Sequence, residues 1–384
     1  MKCIRRAMSS IPQYDTRLLK VKPESIIFSK NGSLPQITDK ETESNLQQAS
    51  NELKLLNVIG FPTETVYGLG GSALSDQSVQ SIYKAKNRPA DNPLIVHISS
   101  IQQLKSKLLP QDYEIPPIYE KLIAKFWPGP LTILLPNDPK NSPISSYVTG
   151  NQDTFAVRMP QHPVARAIIA ISDLPLAAPS ANSSTKPSPT LAKHVMHDLQ
   201  GKIPLVVDGG SCNIGVESTV VDGLSSPPML LRPGGISLEE IKSVGGPEWE
   251  NIQIYKKTGG VEENEKVKTP GMKYKHYSPN AKVILFINCG DGLKAMQDYI
   301  EKHKLNPQNI ALLKSKQFKD LENISIIKNL GFKGEEISQN LFKYLREVDE
   351  LEIEYIFVEG IDETNEGLAI MNRLNKAAVD VVYM

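Results

Sequence analysis

The stretch Tyr83–His97, which reads YKAKNRPADNPLIVH, joins the end of a predicted helix to a predicted buried strand. Upstream of it, Ser75–Asp76 can cap a helix whose apolar residues recur on one face. The apolar positions on this face are Val79, Ile82 and Tyr83. Pro89 limits continuation of the helix, and the apolar run Pro93–Val96 is typical of a buried strand. Further apolar runs of this kind alternate with helical patterns along the chain, and this alternation predicts an α/β fold. The other runs predicted to be strands are Val58–Phe61, Leu131–Leu135, Pro204–Val207, Val283–Phe286, Ile310–Leu313 and Tyr355–Val358, and two helical patterns of the last third cover residues 335–350 and 367–379.

Three cations in this stretch differ in the direction that helical periodicity gives them. Continuing the apolar face places Lys86 on the buried side in the last turn and Lys84 on the opposite side, while Arg88 follows in the exit turn. A buried cation needs an anionic partner, which favours an anion site at Lys86 and Arg88. The alternative is that these cations only satisfy free carbonyls at the helix end. That alternative is preferred for Lys84 and stays open for the other two.

A second candidate cation lies in the segment Thr154–Met159, which reads TFAVRM. Strand alternation places Thr154 and Arg158 on one face and the apolar Phe155, Val157 and Met159 on the other, which we predict to be core. A guanidinium on the polar face suits a carboxylate, which it can bind through two hydrogen bonds. The alternative is an arginine that faces solvent.

Hydroxyl and amide side chains cluster after further predicted strands. The segments are Pro179–Asn182, Lys186–Pro189, Gly215–Thr219 and Arg232–Gly235. Strand-to-loop exits are where α/β folds hold ligands, although each segment alone is also ordinary turn chemistry. The chain has no P-loop motif, and its GxGxxA match at Gly68–Ala73 does not follow a strand directly.

Composition excludes several classes of protein. The 384 residues carry 43 basic and 43 acidic side chains, so no global charge indicates a nucleic-acid or membrane partner. No apolar stretch approaches the length of a membrane span. Three distant cysteines form no disulfide framework and no zinc spacing, which favours a reducing compartment. His194 and His197 lack nearby ligands and are expected at the surface, so no protein-bound metal is predicted.

The chain divides into four segments by composition. Residues 1–45 are expected to be an irregular N-terminal extension, residues 46–255 a first α/β domain and residues 281–384 a second, smaller α/β domain. Between them, residues 256–280 are charged and almost free of aliphatic side chains, which predicts a linker. The basic start MKCIRRAM has the composition of a short transit segment, although a disordered tail is the preferred interpretation.

Several of these segments together resemble one family. The matching segments are FPTETVYGLG at Phe61–Gly70, Lys86–Arg88, Ser180–Asn182, KPSPT at Lys186–Thr190, GVEST at Gly215–Thr219 and LRPG at Leu231–Gly234. They resemble the YrdC-like family. PGMKYKHYSP at Pro270–Pro279 and GLAIMNRLNKAA at Gly367–Ala378 resemble its long, two-domain form. The resemblance implies a twisted mixed-sheet YrdC-like domain with a concave ligand cleft, followed by a Rossmann-like three-layer α/β domain.

The resemblance also implies an activity. The long form is a nucleotidyltransferase that condenses L-threonine, bicarbonate or CO2 and ATP into L-threonylcarbamoyladenylate and pyrophosphate. The product serves N6-threonylcarbamoylation of adenosine 37 in tRNA. The implied cofactor is Mg2+ carried by ATP, and the implied partners are the machinery that transfers threonylcarbamoyl to tRNA. In this scheme threonine forms a carbamate, whose oxygen attacks the α-phosphate.

Site residues carried over from the family fall into two groups. Lys86 and Arg88 would be the catalytic cations that hold the ATP phosphates. The other implied ATP residues are Thr154, Ser180, Asn182, Ser188, Arg232 and Tyr274. The implied threonine residues are Thr63, His97, Arg158 and Ser218. Residues 256–280 would fold over the cleft as a lid, with a flexible tether as the alternative.

Two other functions compete with this one. The same basic cleft could serve an RNA-binding module, although zero net charge and the lack of interleaved aromatic and basic residues disfavour it as the main role. Weak tRNA binding beside the enzyme activity stays open. A carbamoyltransferase of hydrogenase maturation has a related site, but it carries acylphosphatase and zinc-finger segments that this chain lacks. The expected compartment is the cytoplasm, with an additional mitochondrial form if the basic start is a transit segment.

Overall fold

The computed structural model describes residues 14–29, 34–89, 92–255, 276–324 and 326–384. Tyr274, most of the predicted linker and the basic start lie outside these residues. In the first half the described strands are β1 (Arg17–Lys20), β2 (Ile26–Ile27), β3 (Gln36–Ile37), β4 (Ile59–Phe61), β5 (Gly68–Ser72), β6 (Ile95–His97), β7 (Leu131–Pro136), β8 (Thr154–Arg158), β9 (Leu176–Ala177), β10 (Leu205–Asp208), β11 (Thr219–Asp222), β12 (Met229–Arg232) and β13 (Gln253–Ile254). The helices there are α1 (Lys40–Lys54), α2 (Asp76–Lys86), α3 (Ile101–Lys107), α4 (Glu120–Phe126), α5 (Ser146–Thr149), α6 (Pro163–Ser172), α7 (Ala192–Leu199), α8 (Leu238–Gly245) and α9 (Pro247–Glu250).

The N-terminal half is built on one mixed sheet. Its order within the described residues is β1-β10-β4-β5-β9-β6-β8-β7-β11-β12-β13. Helices α1 and α6 pack on one face through a core that includes Leu46, Phe61 and Ile168, while α2 and α7 belong to the core of the other face. The register sets His97 of β6 and Thr132 of β7 beside Arg158 of β8, so three polar side chains meet at one level of the sheet.

The C-terminal half is a smaller three-layer unit. Its elements are β14 (Lys282–Ile287), α10 (Leu293–His303), β15 (Ile310–Lys314), β16 (Ile326–Asn329), α11 (Gly334–Asp349), β17 (Tyr355–Glu359), α12 (Glu366–Ala377) and β18 (Ala378–Tyr383). The strands are parallel in the order β16-β15-β17-β14-β18. Alternate strand residues pack against α10 on one face and against α11 and α12 on the other. The predicted strands and the two predicted helices of this half are therefore confirmed.

Two buried ion pairs join the halves. Arg346 of α11 donates to Asp198 of α7 at 2.8 Å and to the carbonyl of Pro187 at 2.6 Å. Arg373 of α12 donates to Glu217 at 2.9 Å. Both arginines are buried, so the two halves share an interior rather than meeting at a wet surface. The described residues contain no helix long and apolar enough to cross a membrane.

The prediction that residues 1–45 are irregular is wrong within the described part. Strand β1 pairs in parallel with β10, and α1 begins at Lys40 after Asp39, whose side chain accepts from the Thr42 amide. The prediction failed because β1 is a four-residue strand at the edge of the sheet, and its residues are mostly exposed. Its pairing comes from backbone hydrogen bonds to a distant strand, which leave no apolar run in the sequence.

Candidate active site

A cleft opens where the N-terminal sheet faces the C-terminal half. The lining residues that the sequence had singled out are Thr63, Lys86, Arg88, His97, Arg158, Ser180, Asn182, Ser188, Ser218 and Arg232. Residues from distant segments of the chain therefore meet around one cavity. Thr154 is not among the lining residues, because it starts β8 and lies four positions before Arg158. Tyr274 lies outside the described residues.

Lys86 turns inward from the last turn of α2, as helical periodicity predicted. Its side chain is buried, whereas Lys84 is exposed. The Lys86 ammonium donates to the carbonyls of Ser180 at 2.5 Å and Asn182 at 2.6 Å. Burial, followed by repulsion from Arg88, holds the pKa of Lys86 well below its usual value. Neutral oxygens thus orient the Lys86 side chain, and an anion bound in the cleft would favour its charged form.

The exit turn of α2 brings Arg88 to the same wall. Asn87 caps the helix in the left-handed conformation at φ 52°, which lets the chain reverse directly after Lys86. The Arg88 guanidinium then lies near the carbonyls of Asn92 at 3.4 Å and Pro93 at 3.5 Å. The two cations of the K-x-R segment therefore reach the cleft from one helix end.

The residues that the family resemblance assigned to threonine form a tighter network than the sequence indicated. Arg158 donates to Glu64 at 2.5 Å, to the Thr65 hydroxyl at 2.9 Å and to the Gly129 carbonyl at 3.1 Å. Thr63 holds the turn by donating to the Val66 carbonyl at 2.5 Å. Arg158 is buried, which rules out the alternative that it faces solvent, and the sequence did not reveal its carboxylate partner Glu64. The FPTETVY segment that carries Glu64 was the available signal.

His97 and Ser218 complete this side of the cleft. The Nδ1 atom of His97 lies 3.1 Å from the carbonyl of Ile95. Burial, with Arg158 adding repulsion, lowers the pKa of His97 to about 3, so its ring is neutral near pH 7. The Ser218 hydroxyl lies 2.8 Å from that of Thr132 and accepts from Arg232 at 3.1 Å.

A buried carboxylate in the cleft was not predicted. Glu217 accepts from the Ser188 hydroxyl at 2.6 Å and from Arg373 at 2.9 Å. Burial alone would raise its pKa, but Arg373 and Arg232 outweigh burial and lower it to about 2. His276 and Tyr277 also line the cleft. Glu217 lies inside the GVEST segment, which the sequence singled out for the hydroxyl side chains of Ser218 and Thr219.

The cleft residues offer few ligands for a metal ion. Across the part of the chain that the structure describes, no group of three or more histidine, cysteine, aspartate or glutamate side chains could hold one. Both oxygens of Glu217 already accept hydrogen bonds from protein groups. His194 is buried rather than at the surface, which corrects the prediction, and His197 is exposed.

Comparison with known proteins assigns both halves to one family. A family profile described as "Telomere recombination" (Sua5_yciO_yrdC) matches residues 52–234. A second, described as "Threonylcarbamoyl-AMP synthase, C-terminal domain", matches residues 236–379.

Individual relatives agree with the profiles. The chain is 53% identical to a protein of Schizosaccharomyces pombe named "Threonylcarbamoyl-AMP synthase", over 89% of this chain and 90% of the relative. It is 43% identical to a protein of that name from Bacillus subtilis, over 89% of this chain and 96% of the relative. The crystal structure titled "P. abyssi Sua5 complexed with L-threonine" superposes with a TM-score of 0.80 at 40% identity, covering 96% of this chain and 100% of that one. The chain therefore belongs to the Sua5/YrdC family of threonylcarbamoyl-AMP synthases, in its long, two-domain form.

Proposed function

We propose that this chain condenses L-threonine, bicarbonate or CO2 and ATP into L-threonylcarbamoyladenylate and pyrophosphate. The observation that carries the proposal is the convergence of Lys86, Arg88, Arg158 and Arg232 on one cleft. Five lysine and arginine side chains line the cleft, these four and Lys186, against one carboxylate among the described residues, Glu217. Such an excess of positive charge suits a triphosphate and a second anionic substrate. Relatives named for this synthase and a Sua5 structure with L-threonine support the same choice.

We assign the two substrates to two neighbouring groups of cleft residues. Lys86, Arg88, Ser180, Asn182, Ser188 and Arg232 would hold the nucleotide. Arg158, His97, Thr63 and Ser218 would hold threonine, with the Arg158 guanidinium toward its carboxylate. Since Arg158 is already paired with Glu64, its direction is fixed before the substrate arrives. The ATP roles of Thr154 and Tyr274 stay predictions.

The proposed mechanism works by positioning and charge. The threonine carbamate oxygen attacks the α-phosphorus of ATP, and the bond to pyrophosphate breaks. Negative charge then grows on phosphate oxygens, and fixed cations such as Lys86 and Arg88 stabilise it without reorganising. Holding the reactants aligned can contribute roughly 7–11 kcal/mol to lowering the barrier. A neutral His97 can donate or accept a hydrogen bond without adding charge beside Arg158.

Mg2+ would enter with ATP as part of the substrate. Such ions are usually held by phosphates, waters and one or two carboxylates. Glu217 is the cleft-lining carboxylate among the described residues, and it is engaged by Ser188 and Arg373. The proposal therefore assigns no protein ligand to the ion.

The product would pass to the machinery that transfers threonylcarbamoyl to adenosine 37 of tRNA, and the cytoplasm is the proposed compartment. Both assignments follow from the family. An additional mitochondrial form and weak tRNA binding stay predictions, and the transit hypothesis concerns residues outside the described part.

Pyrophosphate release from ATP tests the proposal. We expect release only when threonine and bicarbonate are both present, with an adenylate that carries threonine and one added carboxyl carbon in the product mixture. Omitting either substrate provides the matched control. Pyrophosphate release that ignores threonine would overturn the proposal, and salt-dependent RNA binding with no ATP turnover would favour an RNA-binding module instead.

A further inference from the structure

We propose that Arg373 of the C-terminal half is a positioning residue of the nucleotide site, because it neutralises the cleft carboxylate Glu217. This inference rests on the proposed function, since it takes the cleft to hold ATP phosphates. The C-terminal half would then contribute the positive charge that compensates Glu217. Without Arg373, the Glu217 carboxylate would lose the arginine that is hydrogen-bonded to it and would face a polyphosphate.

The contact between the two side chains is close and dry. Arg373 Nε and Nη2 lie 3.0 and 2.9 Å from the Glu217 Oε2 atom. The guanidinium also donates from Nη1 to the Pro233 carbonyl at 2.5 Å, beside Arg232. Arg373 is 1% exposed and Glu217 is 7% exposed. Water therefore screens this pair poorly, and each charge strongly affects its neighbours.

Glu217 connects the pair to the predicted nucleotide residues. Its second oxygen, Oε1, accepts from the Ser188 hydroxyl at 2.6 Å. Arg373 and Ser188 thus hold the carboxylate from opposite sides, although they belong to different halves of the molecule. A change at Arg373 would reach the cleft through this carboxylate, without direct contact between Arg373 and the substrate.

Further contacts fix Arg373 against the cleft wall. Its guanidinium carbon lies 5.7 Å from the ring centre of Tyr277, and that ring stacks on Phe342 of α11 at 5.2 Å. Tyr277 and Glu217 both line the cleft. The C-terminal half therefore contributes a supporting layer directly behind the site.

If Arg373 compensates the charge of Glu217, removing it should lower nucleotide affinity more strongly as the number of phosphates on the ligand increases. In Arg373→Met, we expect ATP affinity to fall at least tenfold and adenosine affinity by less than threefold, with AMP and ADP between them. Replacing the carboxylate as well, in Arg373→Met/Glu217→Gln, should restore ATP affinity to within threefold of the wild-type value. The measurement is calorimetric titration of each nucleotide without threonine.

A matched control separates this effect from simple docking of the domains. Arg346→Met also removes a buried arginine that joins the halves, but its partners Asp198 and Pro187 do not line the cleft. We expect this variant to lower the affinities for ATP and for adenosine by factors that differ less than those of Arg373→Met. Glu217→Gln alone should bind ATP at least threefold more tightly than the wild type, and this variant tests the idea even if Arg373→Met does not fold.

The outcomes distinguish the two proposals. Equal losses for ATP and adenosine in Arg373→Met, or an ATP affinity that the double variant does not recover, would overturn the role of Arg373. So would ATP binding by Glu217→Gln that is no tighter than in the wild type. The titrations involve no turnover, so a wild-type chain with the expected nucleotide pattern but no threonine-dependent pyrophosphate release would overturn the proposed function alone.

Discussion

Lys84 and Lys86 stand two positions apart on α2 and point in opposite directions. We expect Lys86→Met to lower pyrophosphate release by about 10- to 150-fold, because a hydrogen bond to a charged group is worth roughly 1.5–3 kcal/mol. Lys84→Met should stay within about twofold, since its side chain is exposed. Steady-state rates at saturating threonine provide the measurement, and thermal unfolding checks that both variants fold. If both substitutions lowered pyrophosphate release equally, the direction of the lysine side chain would not explain the effect.

A second prediction concerns Arg158, whose partner Glu64 is also buried. Arg158→Met leaves that carboxylate unpaired and should lower the free energy of unfolding by about 3–5 kcal/mol. Arg158→Met/Glu64→Gln should recover much of this stability while keeping a raised KM for threonine. Denaturant unfolding and threonine titration of the rate provide the two measurements. If the double variant also regains the wild-type KM for threonine, Arg158 does not bind the substrate.

The direction of several side chains could be predicted from the sequence, but the partners in the buried ion pairs could not. Periodicity predicted the inward direction of Lys86 and the strand face that Thr154 and Arg158 share, because helix and strand geometry are local. Glu64 and Glu217 were missed because their partners lie 94 and 156 residues away along the chain. Thr154 was placed on the correct strand, yet its distance from the cleft depends on how far along β8 the cavity extends.

At the scale of an element, the end of α2 depends on one backbone conformation. Asn87 adopts φ 52°, a left-handed conformation in which β-branched residues are strained. We expect Asn87→Val to cost about 1–2 kcal/mol of stability and to lower activity, because Arg88 follows directly. Asn87→Gly should keep the stability within a few tenths of a kcal/mol of the wild type and the rate within about twofold. Thermal unfolding and pyrophosphate release measure the stability and the activity of both variants. If the valine and glycine variants are equally stable and equally active, the left-handed conformation at residue 87 does not matter.

Elements differed in how clearly the sequence showed them. The strands at β4, β6, β7, β10, β14, β15 and β17 carry compact apolar runs and were predicted close to their observed bounds. Strand β1 carries no such run, because exposed residues dominate it and its pairing depends on β10. The segment Gly68–Ser72, rejected as a nucleotide-binding loop, forms β5, where a Cβ atom at Gly70 would lie 2.5 Å from Phe61. Its glycines therefore serve close packing.

For the whole molecule, alternation of strands and helices predicted two α/β units, but not how they pack. The ion pairs of Arg346 and Arg373 cross between the halves, and each arginine had appeared only as part of a helical pattern. Val66 of the N-terminal half even belongs to the apolar core of the C-terminal half. Such contacts arise from tertiary packing between distant segments, which a single sequence does not encode locally.

Histidines in the interior of the molecule should make its stability depend on pH. Burial is the main cause that lowers the pKa of His194 to about 3 and of His162 and His276 to about 4. His162 Nδ1 accepts from the Val164 amide and His194 Nδ1 from the Thr190 amide, so both rings fold in the neutral form. Below the usual histidine pKa of about 6.5, the unfolded chain binds protons that the folded chain does not. Stability must therefore fall as the pH falls.

We expect the free energy of unfolding to decrease between pH 7 and pH 5, by up to about 1.4 kcal/mol per pH unit for each such histidine. Glu217, with its pKa near 2, keeps its contribution throughout this window, because its unfolded value lies near 4.5. His194→Gln should reduce the slope, whereas His303→Gln should not, since His303 is exposed. Urea unfolding at pH 7, 6 and 5 measures the three proteins. A flat wild-type profile, or a His194→Gln slope equal to that of the wild type, would show that these histidines do not fold in the neutral form.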